Sequence, residues 1–250
     1  VEHDRALKLF EKNGCKVDYD EKRVRIPPGL VDECLHKCPS SFIMKARDPA
    51  KDLQIGGNTL YFKVYPGMRI LGLDTWETRP ATKQERDDGC IVMDALDNMH
   101  TLCLYAPYFE VEGIPPAMAI PEAVAAMLRN STKIQVPTGY QLDSEIFTMA
   151  MAKAAGTEIM STINPSPPLT IHTDAAECLF RMVEAGFPVT ISAGGLMGAT
   201  IPATLAGAVI VNTAQNISGI VLAQLIKPGV KIISADFLFA MEMQSGAPVF

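Results

Sequence analysis

The residues best placed to do chemistry sit at the ends of short β-like runs in the second part of the chain. Tyr105 and Tyr108 close or follow a run over 100–105, Gly139 and Tyr140 follow 133–137, and Asn164 follows 158–163. A proline turn then leads to His172. Gly194, Gly195 and Gly198 follow 189–193, and Asp236 and Phe237 follow 231–235. Carboxyl ends of strands are where α/β folds build ligand sites. No serine–histidine or cysteine–histidine arrangement of the kind that activates a nucleophile stands out. Lys133 and Lys231 begin their runs, the wrong end for a Schiff-base lysine, so a lyase or aldolase reading is poor. Cys34 and Cys38 lie one helical turn apart around His36, but structural zinc takes four ligands in compact pairs and no second pair exists. Buried thiols in a reducing compartment are the simpler reading, and no metal is expected.

Stepping along the chain shows what must position these residues. Residues 2–13 alternate charged and apolar positions at helical spacing and stop at Gly14. Pro27-Pro28-Gly29 starts a short second helix that Pro39 ends. From 42 to 78 the pattern becomes short runs (42–45, 52–55, 59–63, 68–73) separated by turn signals, which predicts an antiparallel meander carrying Tyr61, Phe62 and Tyr65. Thr82 caps a helix to about residue 97, with Gln84, Glu85 and Asp88 in its first turns. Helices are then expected over 121–130, 143–155, 173–185 and 202–226, between the five runs named above. The 143–155 helix is expected to lay Ile146, Phe147, Ala150, Met151 and Ala154 on a sheet. Strands alternating with helices imply right-handed crossovers and a parallel sheet, either doubly wound or part of a (β/α)8 barrel. No Gly-x-Gly-x-x-Gly follows a strand, which argues against a dinucleotide site.

The chain has 250 residues, 48% hydrophobic and 20% charged, enough for a sizeable core in one or two domains. A net charge of −6 and the absence of a basic, aromatic-interleaved stripe argue against nucleic acid as partner. The most apolar stretch, 203–226, is interrupted by Asn212, Thr213, Gln215, Asn216 and Ser218 and reads as a buried helix, not a membrane span.

Several stretches carry a family resemblance. Pro202, Leu205-Ala206-Gly207, Thr213-Ala214-Gln215, Gly219 to Leu225 and Pro228-Gly229 resemble a recurring pattern of the trimethylamine methyltransferase family. So do Glu11 to Asp18, Val24-Arg25-Ile26-Pro27, Cys38 to Phe42, Arg47-Asp48-Pro49, the turn Pro165 to Leu169 and Ser245-Gly246-Ala247-Pro248. The resemblance spans nearly the whole chain. It implies a TIM (β/α)8-type barrel, incomplete here, over 82–250, preceded by N-terminal helices and the meander over 1–81. It makes the chain the front part of a longer protein.

The reaction implied is transfer of a methyl group from a quaternary or tertiary methylamine, glycine betaine-like or trimethylamine, to a corrinoid (cobalamin) carried by a partner protein. Since the cobalt is the nucleophile, the protein's tasks are to hold the ammonium, align its methyl group and exclude water. The resemblance therefore assigns Tyr105, Asn164, Gln215 and Asp236 to the catalytic set and Tyr140, His172, Gly194, Gly195 and Phe237 to substrate binding. Tyr105, Tyr140 and Phe237 would wall the cation, and Asp236 or Glu110 would balance its charge. A substrate carboxylate would accept from the backbone of Gly194-Gly195 and the helix start at Pro202. Two departures matter: family members usually carry glutamate where Gln215 stands, and Asp236 replaces a small or hydroxyl residue. A cytoplasmic homo-oligomer without a membrane partner is expected. The alternative is a non-catalytic remnant of the same fold that binds an amine or a partner.

Overall fold

The computed structural model describes residues 1–63, 69–103, 113–137 and 143–249. By compactness the chain divides into two units, Val1–Pro39 with Thr162–Phe250, and Ser40–Ser161. The boundary drawn after residue 81 reflects sequence pattern, and the spatial division falls elsewhere.

The first unit opens with α1 (Asp4–Lys12), the hairpin strands β1 (Lys16–Asp18) and β2 (Arg23–Arg25), and α2 (Pro28–His36). In α1 the apolar stripe Ala6, Leu7 and Phe10 is buried, and His3 caps the start by accepting from Ala6 N. Gly14, at φ +84°, makes the left-handed exit that the sequence predicts.

The second unit contains β3 (Phe42–Met44), β4 (Leu53–Ile55), β5 (Ile70–Leu71), β6 (Thr78–Arg79), α3 (Lys83–Ala95) and β7 (Thr101–Leu102). It continues through α4 (Ala119–Asn130), β8 (Ile134–Gln135) and α5 (Ser144–Ala155). The expected meander resolves instead into two separate antiparallel pairs, β3–β4 and β5–β6. The run at 59–63 pairs with neither of them; Lys63 makes a parallel bridge to Thr101. β7 and β8 are parallel, as alternating strands and helices require, and Gln135 bridges Ile159 in the same sense. Cys90, Leu102, Ile120, Ala123, Val124, Met127 and Leu128 form the core.

In α5 the buried side is Ser144, Glu145, Thr148 and Ala152, while Ile146 and Phe147 are exposed. That reverses the expected face. Apolar residues occur on both sides of this helix, and of the expected face Met151 packs on the core cluster, as does Ala155.

The N-terminus of α3 is built as the sequence predicts. Thr82 Oγ1 accepts from Glu85 N at 3.2 Å, and Glu85 Oε2 accepts from Thr82 N at 3.0 Å, a complete capping box. Arg79 donates twice to the same carboxylate. These donors, Arg79 foremost, pull the Glu85 carboxyl from an ordinary 4.5 down to about 2.

The chain returns to the first unit through β9 (Ser161–Ile163), α6 (Thr173–Glu184), β10 (Val189–Met197), α7 (Leu205–Ile226), β11 (Ile232–Met241) and β12 (Pro248–Val249). The sheet order is β12-β11-β10-β9, with β10 and β11 parallel over nine registered pairs from Val189↔Ile232 to Met197↔Ala240. Both strands run further than the sequence predicts: Gly194 and Gly195 lie inside β10, and the turn comes at Gly198. α7 starts three residues after Pro202, capped by Thr204, whose Oγ1 accepts from Gly207 N.

α7 packs on β10 and β11 and against α1, α2 and α6. Among the described residues it is the one helix long and apolar enough to cross a membrane by length and composition. Its buried residues nevertheless include Asn212, Gln215, Asn216 and Gln224. Close approach to the sheet depends on Gly219, where an added Cβ would lie 2.8 Å from Ile191 Cγ2. Gly219→Ala is therefore expected to lower stability by about 1–3 kcal/mol, measured by denaturant unfolding, even though alanine is the better helix former. Glu85→Gln supplies a second test. The contribution of the lowered carboxyl is present above its ordinary value of 4.5 and is lost as pH falls through about 2. The stability gap between parent and variant should close across that window, and a gap independent of pH would dismiss the network.

Candidate functional site

The described site residues lie in the first unit, around the carboxyl ends of β9, β10 and β11. Tyr105, Tyr140 and Glu110, with Tyr108 and Gly139, lie outside the described residues.

Successive residues of a strand point to opposite faces, and α7 identifies which face is which. Gly219 of α7 lies against Ile191, so Val189, Ile191, Ala193 and Gly195 face the helix. Thr190, Ser192 and Gly194 face the other way. On β11, Asp236 is registered with Ala193 and Phe237 with Gly194. Asp236 and Phe237 therefore stand on opposite faces. The expectation that both line one pocket does not survive the strand's two-residue period.

On the helix face, one turn of α7 organises the strand ends. Asn212 Nδ2 and Asn216 Nδ2 both donate to Asp236 Oδ1, the latter at 2.7 Å. Asn216 also donates to Ala235 O at 2.9 Å and accepts from Ala193 N at 2.7 Å, so one buried amide ties β10 to β11. Asp236 itself is exposed, and both of its hydrogen bonds end on one carboxylate oxygen. Gly195 lies on this face under Ile201, whose Cδ1 would be 2.4 Å from an added Cβ.

Gln215, 1% exposed, reaches the turn that follows β9. Its Nε2 donates to Pro165 O at 2.5 Å and its Oε1 accepts from Leu169 N at 3.0 Å. The amide thus spans the proline turn and holds Leu169 at φ +51°, a left-handed conformation uncommon outside glycine. Asn164 sits exposed at the head of the same turn. His172 lies at its far end, where Nδ1 contacts Glu2 Oε2 at 2.8 Å and lowers the Glu2 carboxyl. Thr173 Oγ1 donates to Glu2 O at 2.7 Å, so this pair fastens the N-terminal segment to the start of α6.

The opposite face carries different chemistry. Gly194 lets Phe237 of the neighbouring strand pack closely, since an added Cβ would lie 3.3 Å from both Phe237 Cβ and Phe237 O. Phe239 stands next to Phe237 on the same face, with ring centroids 6.5 Å apart. Ser192, one residue pair below, is buried, and its hydroxyl has no hydrogen-bond partner among the described residues; nor has Thr162 of β9. The face thus combines aromatic surface, a closely packed glycine and buried hydroxyls with spare bonding capacity.

Sequence reasoning missed Asn212, Asn216 and Ser192 as site components. The two asparagines were visible only as polar interruptions of an apolar helix. Their spacing of four, with Gln215 between them, was the available signal, since it puts amides on one helix face.

Among the described residues, several side chains able to act as nucleophile or base are otherwise engaged. His3 contacts Glu177, His36 contacts Asp32 O, and His100 accepts from Phe62 N. Burial raises the thiols of Cys15, Cys34 and Cys38 and pushes Cys90 up to about 11. Lys133 Nζ is spent on Met93 O and Leu96 O near the end of α3.

The chain is a mixed α/β protein whose described candidate residues gather on β10, β11, α7 and the turn after β9. The sequence pattern of the trimethylamine methyltransferase (MTTB) family matches residues 1–250, and the chain belongs to that family. It is 29% identical over its full length to trimethylamine methyltransferase MttB of Desulfitobacterium hafniense strain DSM 10664 / DCB-2, covering 52% of that protein. It is 27% identical to the glycine betaine methyltransferase of Desulfitobacterium hafniense strain Y51, over 98% of this chain and 52% of the relative. Against trimethylamine methyltransferase MttB of Methanosarcina thermophila the identity is 25%, over 100% of this chain and 54% of the relative. The chain spans about half the length of these curated relatives.

Replacement of Gln215 by Glu tests the clasp. A carboxylate cannot donate to Pro165 O, and burial would push it up, so the variant should be stable at low pH and lose about 2 kcal/mol or more as pH rises through the raised value. Urea unfolding of parent and variant across pH checks this. Equal stability at neutral pH would remove Gln215 from the clasp.

Proposed function

We propose that the chain contributes to an enzyme that moves a methyl group from a quaternary or tertiary methylated amine to the cobalt of a corrinoid presented by a partner protein. The observation that carries the reading is the family match across all 250 residues, with relatives named for trimethylamine and for glycine betaine. The corrinoid is a substrate here, and its reduced cobalt supplies the nucleophile. That suits a chain whose histidines are paired elsewhere and in which burial raises the thiols of Cys15, Cys34, Cys38 and Cys90.

In this reading the strands and helices of both units belong to a (β/α)8-type barrel, and the protein works in the cytoplasm. The methylated cation lies on the face of Ser192, Gly194 and Phe237. Phe237 offers its ring to an ammonium that has no N–H to donate, an attraction worth about 0.5–2 kcal/mol. Gly194 lets Phe237 pack closely against β10 and so fixes its ring, and the Ser192 hydroxyl donates to a substrate carboxylate where one is present. Asn164 at the end of β9 completes the lining among the described residues. Asp236 and Gln215 act from behind this face, by fixing β11 and the proline turn. Their contribution is orientation, which a transfer between two large reactants requires.

The test is incubation of the purified protein with glycine betaine or trimethylamine and a cobalt(I) corrinoid protein, following methyl-cobalt by its visible spectrum. Phe237→Ala is expected to raise KM about tenfold or more with a smaller effect on kcat, whereas Asp236→Asn should lower stability more than it alters KM. Amine binding without methyl-cobalt formation would make the chain a binding remnant, and a KM effect confined to Asp236 would place the cation on the helix face.

A further inference from the structure

The first unit holds a cavity of about 560 Å³ between the β1–β2 hairpin and the proline turn, a volume typical of small-molecule sites. One wall is the run from Glu21 to Ile26, and the other is Pro168 to Ile171. Phe10 and Ile171 are buried and give the cavity apolar lining, which the exposed Leu169 extends. Lys22 and Leu169, one on each wall, hold left-handed backbone at φ +50° and +51°, uncommon for residues other than glycine.

The charge of this lining is one-sided. Lys22, Arg23 and Arg25 stand against a single carboxylate, Glu21. None of the three cations has a salt bridge among the described residues. Asp18, registered with Arg23, accepts from Glu21 N at 3.0 Å instead. The register also sets Lys16 directly opposite Arg25, and Lys16 has no salt bridge among the described residues either. Like charges directly opposite weaken a ladder, and a two-stranded ladder is marginal to begin with. An anion held by Arg25 relieves that repulsion.

We propose that this cavity binds a small amphiphilic anion, a carboxylate or phosphate head on an apolar body. Arg23 and Arg25 share one face of β2, and their guanidinium forks match the oxygens of such a head. The body lies on Phe10, Ile171 and Leu169. Leu169 belongs to the turn that Gln215 clasps, so the occupant touches the segment leading away from Asn164. The site is independent of the methyl-transfer reading.

Calorimetric titration of the full chain with hexanoate, hexyl phosphate, hexylammonium and inorganic phosphate tests this. At least one amphiphilic anion should bind, one per chain, about tenfold or more tighter than inorganic phosphate, because its tail leaves water. The tighter of the two identifies the head group, and hexylammonium should not bind. Arg23→Gln and Arg25→Gln, both at exposed positions, should each weaken binding about tenfold. The free Arg25→Gln protein should melt no lower than the parent, since repulsion from Lys16 is removed. Leu169→Gly should weaken binding of the amphiphile while keeping the fold, as glycine suits that backbone conformation. Binding of neither amphiphile overturns the proposal, which is also the result if another part of the protein fills the cavity. Hexylammonium or inorganic phosphate binding as tightly as the amphiphilic anions overturns it, as does an affinity that both arginine substitutions leave unmoved.

Discussion

The carboxyl ends of the first unit's strands depend on one turn of α7. Asn212, Gln215 and Asn216 are all buried, and each reaches a different piece of backbone or side chain: Asp236, the proline turn after β9, and the junction of β10 with β11. A buried amide left unmade costs about 1–3 kcal/mol, so these groups act as constraints more than as sources of net stability. The Asn216 tie falls at the middle of the nine-pair β10–β11 ladder, whereas the proline turn after β9 lies outside it. The helix supplies both places with fixed donors and acceptors, and close approach of helix to sheet, permitted by Gly219 and the neighbouring alanines, makes the reach of a short side chain sufficient.

This arrangement divides labour between the two faces of the sheet. The helix side holds the amides, Asp236 and the packed Gly195. The other side holds Phe237, Phe239, the closely packed Gly194 and the Ser192 hydroxyl, which has no partner among the described residues. Charge and hydrogen-bonding capacity are therefore committed where geometry is enforced, and aromatic surface is left where a methylated cation would need it. A carboxylate in direct contact with such a cation would stabilise the ground state as much as the transition state. A fixed aromatic wall binds the ammonium with less hold on its charge, which suits a group that must lose a methyl and become neutral.

Much of this was legible in the sequence, and the failures have definite causes. Helix starts and stops were readable because capping chemistry is local: Thr82 with Glu85, Gly14 and the Lys227-Pro228-Gly229 stop each act within a few residues. The parallel pairing of β10 with β11 followed from alternation of strand and helix. Strand lengths were underestimated because Gly194 and Gly195 look like a turn, and nothing local shows that Ile201 packs over one and Phe237 beside the other. The face of α5 was misassigned because apolar residues occupy both of its sides, so only the partner helix decides. Asp236 and Phe237 were grouped by adjacency in sequence, although adjacency in a strand is what separates side chains.

Gln215 shows how such constraints bear on a family departure. Read as a list of motifs, glutamine in place of a usual glutamate suggests a lost acid or base. The geometry gives the substitution another meaning, because this position must donate to Pro165 O and accept from Leu169 N at once. A carboxamide does so at any pH. A carboxyl group in the same place does so only while it carries a proton, since otherwise two oxygens would face each other across a hydrogen-bond distance in a buried site. Glutamine therefore makes permanent a contact that glutamate would make conditionally, and the proline turn over the strand ends keeps one shape whatever the pH. In the proposed reading, where the nucleophile comes from the acceptor, no proton shuttle is needed at this point and the substitution is compatible with turnover.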